Sequence, residues 1–99
     1  MTLEEITQEL RERVGDSAGT GKCIIFDFGD NDIVRVDDTQ TPAVIDNEPS
    51  DADTTISVSK EDFADISSGK QNAQMAFMMG KLKVDGDMSV AMQLGQILG

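Results

Sequence analysis

The sequence has no histidine, no tryptophan, no tyrosine and one cysteine, Cys23, in 99 residues. A single thiol makes no internal disulfide, and without histidine the usual zinc constellations cannot be assembled, so the expected setting is reducing. Cations are scarce as well: eight lysines and arginines stand against nineteen acids, a formal charge of -11. That charge keeps the chain soluble and repels nucleic-acid phosphates and anionic membranes, which excludes nucleic acid and leaves only transient membrane contact as an expectation. No apolar run approaches the roughly 20 residues that span a bilayer. The opening MTLEEITQELRERV is charged and helical, unlike a secretory signal. The expectation is a cytoplasmic chain with one domain, residues 1–99, and one modest core.

What is abundant is methionine, and in one place. Residues 72–98, NAQMAFMMGKLKVDGDMSVAMQLGQIL, hold five of the six. At helical period Met88, Ala91, Met92 and Gly95 form one apolar stripe and Val90, Leu94 and Ile97 a second, which leaves Ser89, Gln93 and Gln96 for water. A helix this apolar on a short chain is sandwiched between layers, pressed on a partner, or lines a cavity that takes an apolar ligand. Methionine at helical spacing also fits an ordinary core. Its unbranched thioether, however, refits around ligands of different shape.

The elements follow from local pattern. Thr2 and Glu5 form a capping box that opens a helix over Leu3–Val14, with Leu3, Ile6, Leu10 and Val14 on its core side and Gly15 at its end. GDSAGTGKC looks like a phosphate-cradling loop, but Gly15 and Gly21 are one residue too far apart, Cys23 replaces the magnesium hydroxyl, and the loop follows a helix. It reads as a flexible connector. Strands follow over Lys22–Phe28, apolar on both faces and so central, then Ile33–Val36 after a Gly29-Asp30-Asn31 turn, and Ala43–Ile45. The acidic run Asp46, Glu48, Asp51 and Asp53 lacks the ligand order of a calcium loop and reads as solvated. A fourth strand has Thr54, Ile56 and Val58 inward. A second capping box, Ser59 with Asp62, opens a helix buried through Phe63 and Ile66 and closed by Gly69. Asn72 caps a short helix, Ala73–Met79, apolar nearly all round, and Gly80 stops it. Lys81–Asp85 is the fifth strand, with Leu82 and Val84 inward. Gly86 turns the chain and Asp87 caps the final helix.

These residues resemble the sterol carrier protein 2 family of lipid-transfer domains over nearly the whole chain. The specific part is AFMMGKLKVDGDMSVAMQL with ISVSKEDFADISSGK before it: Phe77, Gly80, Lys81, Leu82, Gly86, Met88, Ala91, Met92 and Leu94, with Phe63, Gly69 and Lys70 upstream. The resemblance implies an α+β fold, a five-stranded mixed sheet of order 3-2-1-4-5 covered on one face by helices, with an apolar tunnel between sheet and C-terminal helix. It implies noncatalytic binding and transfer of fatty acid, fatty acyl-CoA, phospholipid or sterol-like ligands, and no cofactor. The family commonly has proline at Ala73 and glutamine at Met79. Its peroxisomal members end in a receptor-read address, whereas this sequence ends Ile97-Leu98-Gly99, as expected of a bacterial-type, single-domain member.

On that reading the ligand's hydrocarbon lies among Phe63, Met75, Phe77, Met78, Met79, Met88, Met92 and Leu94, in a monomer. Lys70, Lys81 and Lys83 are candidates to meet an acidic headgroup, although Lys81 and Lys83 also suit the wet side of an edge strand. The alternative is an interaction or dimerisation module that uses the same apolar C-terminal helix. No pair of nucleophile and base is legible, so no enzyme and no metal site is expected.

Overall fold

The computed structural model describes residues 2–98. Met1, the first residue of the opening segment, and Gly99, the last of the C-terminal tripeptide, lie outside them. The order is α1 (Leu3–Val14), β1 (Cys23–Asp27), β2 (Ile33–Asp37), β3 (Val44–Asp46), β4 (Thr54–Val58), α2 (Lys60–Ser67), α3 (Ala73–Met78), β5 (Leu82–Gly86) and α4 (Met88–Leu98).

The strands lie in the order β3-β2-β1-β4-β5. β1 and β4 run parallel at the centre and the other three pairings are antiparallel. Register carries Val34, Phe26, Ile56 and Val84 across one face in a row, and Arg35, Ile25, Thr55 and Asp85 across the other. The first face joins Ile6, Leu10, Phe63, Ile66, Val90 and Leu94 from the helices in one core. Ile25 is buried on the opposite face, outside that core, as the apolar pattern on both sides of a central strand requires.

Helices α1, α2 and α4 each bury one stripe. In α1 the buried Ile6, Leu10 and Val14 recur at every fourth position, and each contributes roughly 1.5–3 kcal/mol by leaving water. Its capping box is complete: Thr2 Oγ1 accepts from Glu5 N–H at 3.2 Å and Glu5 Oε1 accepts from Thr2 N–H at 3.0 Å. The box expected at α2 is half formed. Ser59 Oγ accepts from Asp62 N–H at 3.0 Å, but the Asp62 carboxylate accepts instead from the Gln71 side chain at 3.3 Å. Aspartate is a methylene shorter than the glutamate that reaches back to a cap.

The segment read as a flexible connector is pinned. Residues 17–21 wrap the carboxylate of buried Asp38, which accepts from the N–H groups of Ala18, Thr20 and Gly21 and the hydroxyls of Ser17 and Thr20 at 2.8–3.2 Å. The glycine-rich loop is therefore a nest for an anion after all, and the anion is the chain's own. A second tie is Arg13. Its guanidinium donates to the carbonyls of Leu98 at 2.7 Å, Ile97 at 3.3 Å and Ser67 at 2.6 Å, and to Glu9 at 2.6 Å. One side chain thus satisfies carbonyls at the C-terminal ends of α2 and α4, where the helix dipole favours a cation.

Candidate functional site

The two stripes of α4 separate, with one change at the end of the helix. Val90 and Leu94 turn into the core as expected, but Leu98 rather than Ile97 completes that stripe, and Leu98 also reaches the cavity lining. Met88, Ala91, Met92 and Gly95 line a cavity of ≈ 540 Å³, within the range of about 300–1,000 Å³ usual for small-molecule sites. Its opposite wall is α3, through Ala73, Gln74, Phe77 and Met78, and its floor is the sheet, through Ile56, Leu82 and Val84. Gly95 faces Ala73 across the two helices: a Cβ on the glycine would stand 3.5 Å from that of the alanine.

Local sequence sets this geometry. The side chain of Asn72 caps α3 by accepting from the N–H groups of Gln74 at 2.8 Å and Met75 at 3.3 Å. Gly80, in the left-handed region at φ 78°, then turns the chain from α3 into β5, and Lys81 N–H closes the corner on Ala76 carbonyl at 2.9 Å. Asp87 opens α4 by accepting from Ser89 N–H at 2.9 Å.

Of the eight residues expected to hold a ligand, the structure brings Phe77, Met78, Met88 and Met92 together around the cavity. The other four stand elsewhere. Phe63 is 1% exposed on α2, edge-on to Phe26 and Phe28 with centroids 6.3 and 5.6 Å apart, and belongs to the core. Leu94 lies on the core stripe of α4. Met75 and Met79, 59% and 63% exposed, point to solvent off the lining. Only Ala76 of α3 is fully buried, and the half-buried Ala73 packs beside it against the core. Lys70, Lys81 and Lys83 are exposed and also stand outside the lining. The polar groups on the wall are instead the amides of Asn72, Gln74 and Gln96. The floor residue Ile56 was legible as inward, Gly95 as part of an apolar stripe and Ala73 only as the start of an apolar helix, and none carried a mark of a ligand.

The exposed large apolar side chains among the described residues are Met75, Phe77, Met78, Met79, Met88 and Met92. All come from α3, its C-terminal cap Met79 and α4, and four of them border the cavity. Apolar exposure gathered in one place marks a surface that something else covers.

A family model, the SCP-2 sterol transfer family, matches residues 2–99. Peroxisomal multifunctional enzyme A of Dictyostelium discoideum is 57% identical over 44 residues, 44% of this chain and 10% of that protein. Human sterol carrier protein 2 is 44% identical over 52 residues, 52% of this chain and again 10% of the relative. The chain thus spans about a tenth of the length of these curated relatives. The apo form of sterol carrier protein 2 from Yarrowia lipolytica superposes with a TM-score of 0.72 at 25% identity, covering 94% of this chain and 86% of that one. With its sheet order, four helices among the described residues and a match over residues 2–99, the chain belongs to the SCP-2 sterol transfer family.

Proposed function

We propose that the chain carries a lipid, whose hydrocarbon part lies in the cavity between α3, α4 and the sheet, and that it does so without changing the lipid chemically. The observation that carries this reading is the apolar cavity of ≈ 540 Å³ bordered by exposed Phe77, Met78, Met88 and Met92. Burial contributes about 0.8 kcal/mol per methylene, so roughly ten methylenes supply about 8 kcal/mol. That is of the order of the association cost, about 4–15 kcal/mol. Further contacts from flexible methionines supply the surplus, and their adaptability suits a cargo of variable shape.

Fatty acids and fatty acyl chains are the cargo of choice, with the polar end at the amides of Gln74 and Gln96 or in water. A noncatalytic role accords with Cys23: burial, and then the nearby Asp37 carboxylate, raise its thiol above the ordinary 9.0, so it stays protonated and a poor nucleophile. The cytoplasmic setting expected from composition and the monomeric state expected with the lipid reading belong to the same proposal.

Organic extraction of the purified chain, followed by mass spectrometry, tests it together with the native mass. A monomer bearing acyl-sized extra mass is the expected result. An unliganded dimer assigns the apolar face to a second copy and overturns the proposal.

A further inference from the structure

Three side chains on the cavity wall carry an oxidisable atom. Met78 stands on α3, and Met88 and Met92 stand opposite on α4, four residues and so about 6 Å apart along the helix. A thioether gives its lone pair to two-electron oxidants and becomes a sulfoxide, and with no proton to lose it does so at any pH. A thiolate does not compete. Cys23, the one cysteine, alternates on β1 with the core residue Ile24 and so faces the other side of the sheet. Two further methionines serve as references: Met75 and Met79 are exposed but stand off the lining. Met75 and Met92 are both 59% exposed, and of the two only Met92 borders the cavity. An ordinary acyl chain meets nothing reactive in this wall. An unsaturated chain that has been oxidised carries a hydroperoxide near its middle, and burial of the rest of the chain holds that group against the wall.

We propose that the cavity reduces a fatty acyl hydroperoxide to the corresponding alcohol at the expense of Met78, Met88 or Met92. The sulfur lone pair attacks the terminal peroxide oxygen, the O–O bond breaks, and its electron pair leaves on the oxygen still bonded to the chain. The proton of the terminal oxygen passes to that leaving oxygen through water at the cavity mouth or a wall amide, Gln74 or Gln96. Sulfur is oxidised by two electrons to the sulfoxide, the hydroperoxide is reduced by two to the alcohol, and no other reactant is consumed. Only a cargo that brings its own oxidant is changed, one molecule per sulfur, so the chain remains noncatalytic; a sulfoxide-reducing enzyme restores the wall. Sulfurs on two facing walls suit this chemistry. The peroxidised carbon varies with the double bond that was attacked, and thioether side chains are flexible enough to follow it. Confinement supplies the rate, because holding both partners in one cavity replaces a slow bimolecular encounter by an effectively unimolecular one. The inference rests on the lipid-carrying reading and is measured so that the two fail separately.

The chain is incubated with linoleic acid hydroperoxide or, in parallel, with hydrogen peroxide. Sulfoxide is mapped site by site by fragmenting its peptides, and the hydroxy acid is quantified by mass spectrometry. Hydrogen peroxide should oxidise the methionines of residues 72–98 in the order of their exposure, Met78 first and Met88 last. The lipid hydroperoxide should instead oxidise Met78, Met88 and Met92 about tenfold or more faster than Met75 and Met79, with one hydroxy acid formed per sulfoxide. Excess plain linoleic acid, competing for the cavity, should remove that preference. Met78→Leu with Met88→Leu and Met92→Leu should lower the yield of hydroxy acid per bound hydroperoxide about tenfold, binding being titrated on the same variant, whereas Met75→Leu with Met79→Leu should leave it unchanged. Equal rates at Met75 and Met92, or a hydroperoxide that is bound and returned intact, overturns the proposal and leaves the carrying reading in place. A chain that binds neither linoleic acid nor its hydroperoxide overturns both.

Discussion

The hydroxyl of Thr54 donates to the carbonyl of Asp87 at 3.2 Å and accepts from the N–H of the same residue at 3.0 Å. Thr54 is fully buried at the start of β4, and Asp87 is the cap from which α4 departs, so one hydroxyl fixes the cavity's helical wall to the centre of the sheet. Thr54→Val keeps the shape and removes both bonds. Urea denaturation should show a loss of about 1–3 kcal/mol, and Thr54→Ser should recover most of it. Equal stability for threonine and valine would mean that water replaces the clasp.

Two glycines, one just before Asp87 and one within α4, should respond in opposite senses. Gly86, at φ 120°, lies where an added Cβ would stand 2.3 Å from the Asp53 carbonyl oxygen, so Gly86→Ala should cost roughly 3 kcal/mol or more. Gly95 has helical backbone and room for a methyl group at ordinary contact with Ala73. Gly95→Ala should therefore gain about 1 kcal/mol from helix propensity. Thermal unfolding of the two variants separates the cases, and a destabilised Gly95→Ala would show that α3 and α4 are packed more closely than described.

Arg13→Lys keeps the charge but cannot reach the carbonyls of Ser67, Ile97 and Leu98 together. A loss of about 2 kcal/mol is expected, with faster amide exchange in the last turn of α4. Exchange that speeds equally everywhere would instead show a global loss with no special role at that helix end.

Asp38 makes stability depend on acid. Burial raises its carboxyl pKa, but the N–H groups of Ala18 and Gly21, the Thr20 hydroxyl and the Thr20 N–H outweigh that and hold it below the ordinary 3.8. The folded pKa is depressed, so the stabilisation is complete above the unfolded value and fades as pH falls through the lower, folded one. Asp38→Asn should lower stability at neutral pH by about 1–3 kcal/mol, since its amide nitrogen meets donors. It should also flatten the decline below pH about 4. An unchanged acid profile would place that decline in the other carboxylates.

Local rules made much of this fold legible. Strand ends fall within one residue of the alternation for β1, β2 and β3, and the caps Thr2, Asn72 and Asp87 sit where side-chain oxygens precede apolar runs. The family resemblance, not alternation, supplied the sheet order. In α4 the 3.6-residue period separated the stripe of Met88, Ala91, Met92 and Gly95, which lines the cavity, from Val90 and Leu94 in the core, although Leu94 was also expected at the ligand and Leu98 stands in the core where Ile97 was expected. In α3 the site was not legible: six residues make under two turns, and which methionine faces inward depends on what packs there. Asp38 and Arg13 escaped for another reason. Their partners lie 17–21 and 54–85 positions away, and no short-range pattern marks a carboxylate for a nest or an arginine for distant carbonyls.

The most direct measurement of the central claim is titration of a fluorescent long-chain fatty acid against the chain and against Met92→Asp. Met92 lies on the cavity wall yet is 59% exposed, so the unliganded variant keeps its carboxylate partly in water and should fold, as circular dichroism would show. A bound acyl chain must strip that water, at a cost above the ~1–3 kcal/mol of a neutral polar group. The account predicts a folded variant whose affinity falls about tenfold or more; a folded variant with unchanged affinity would contradict it.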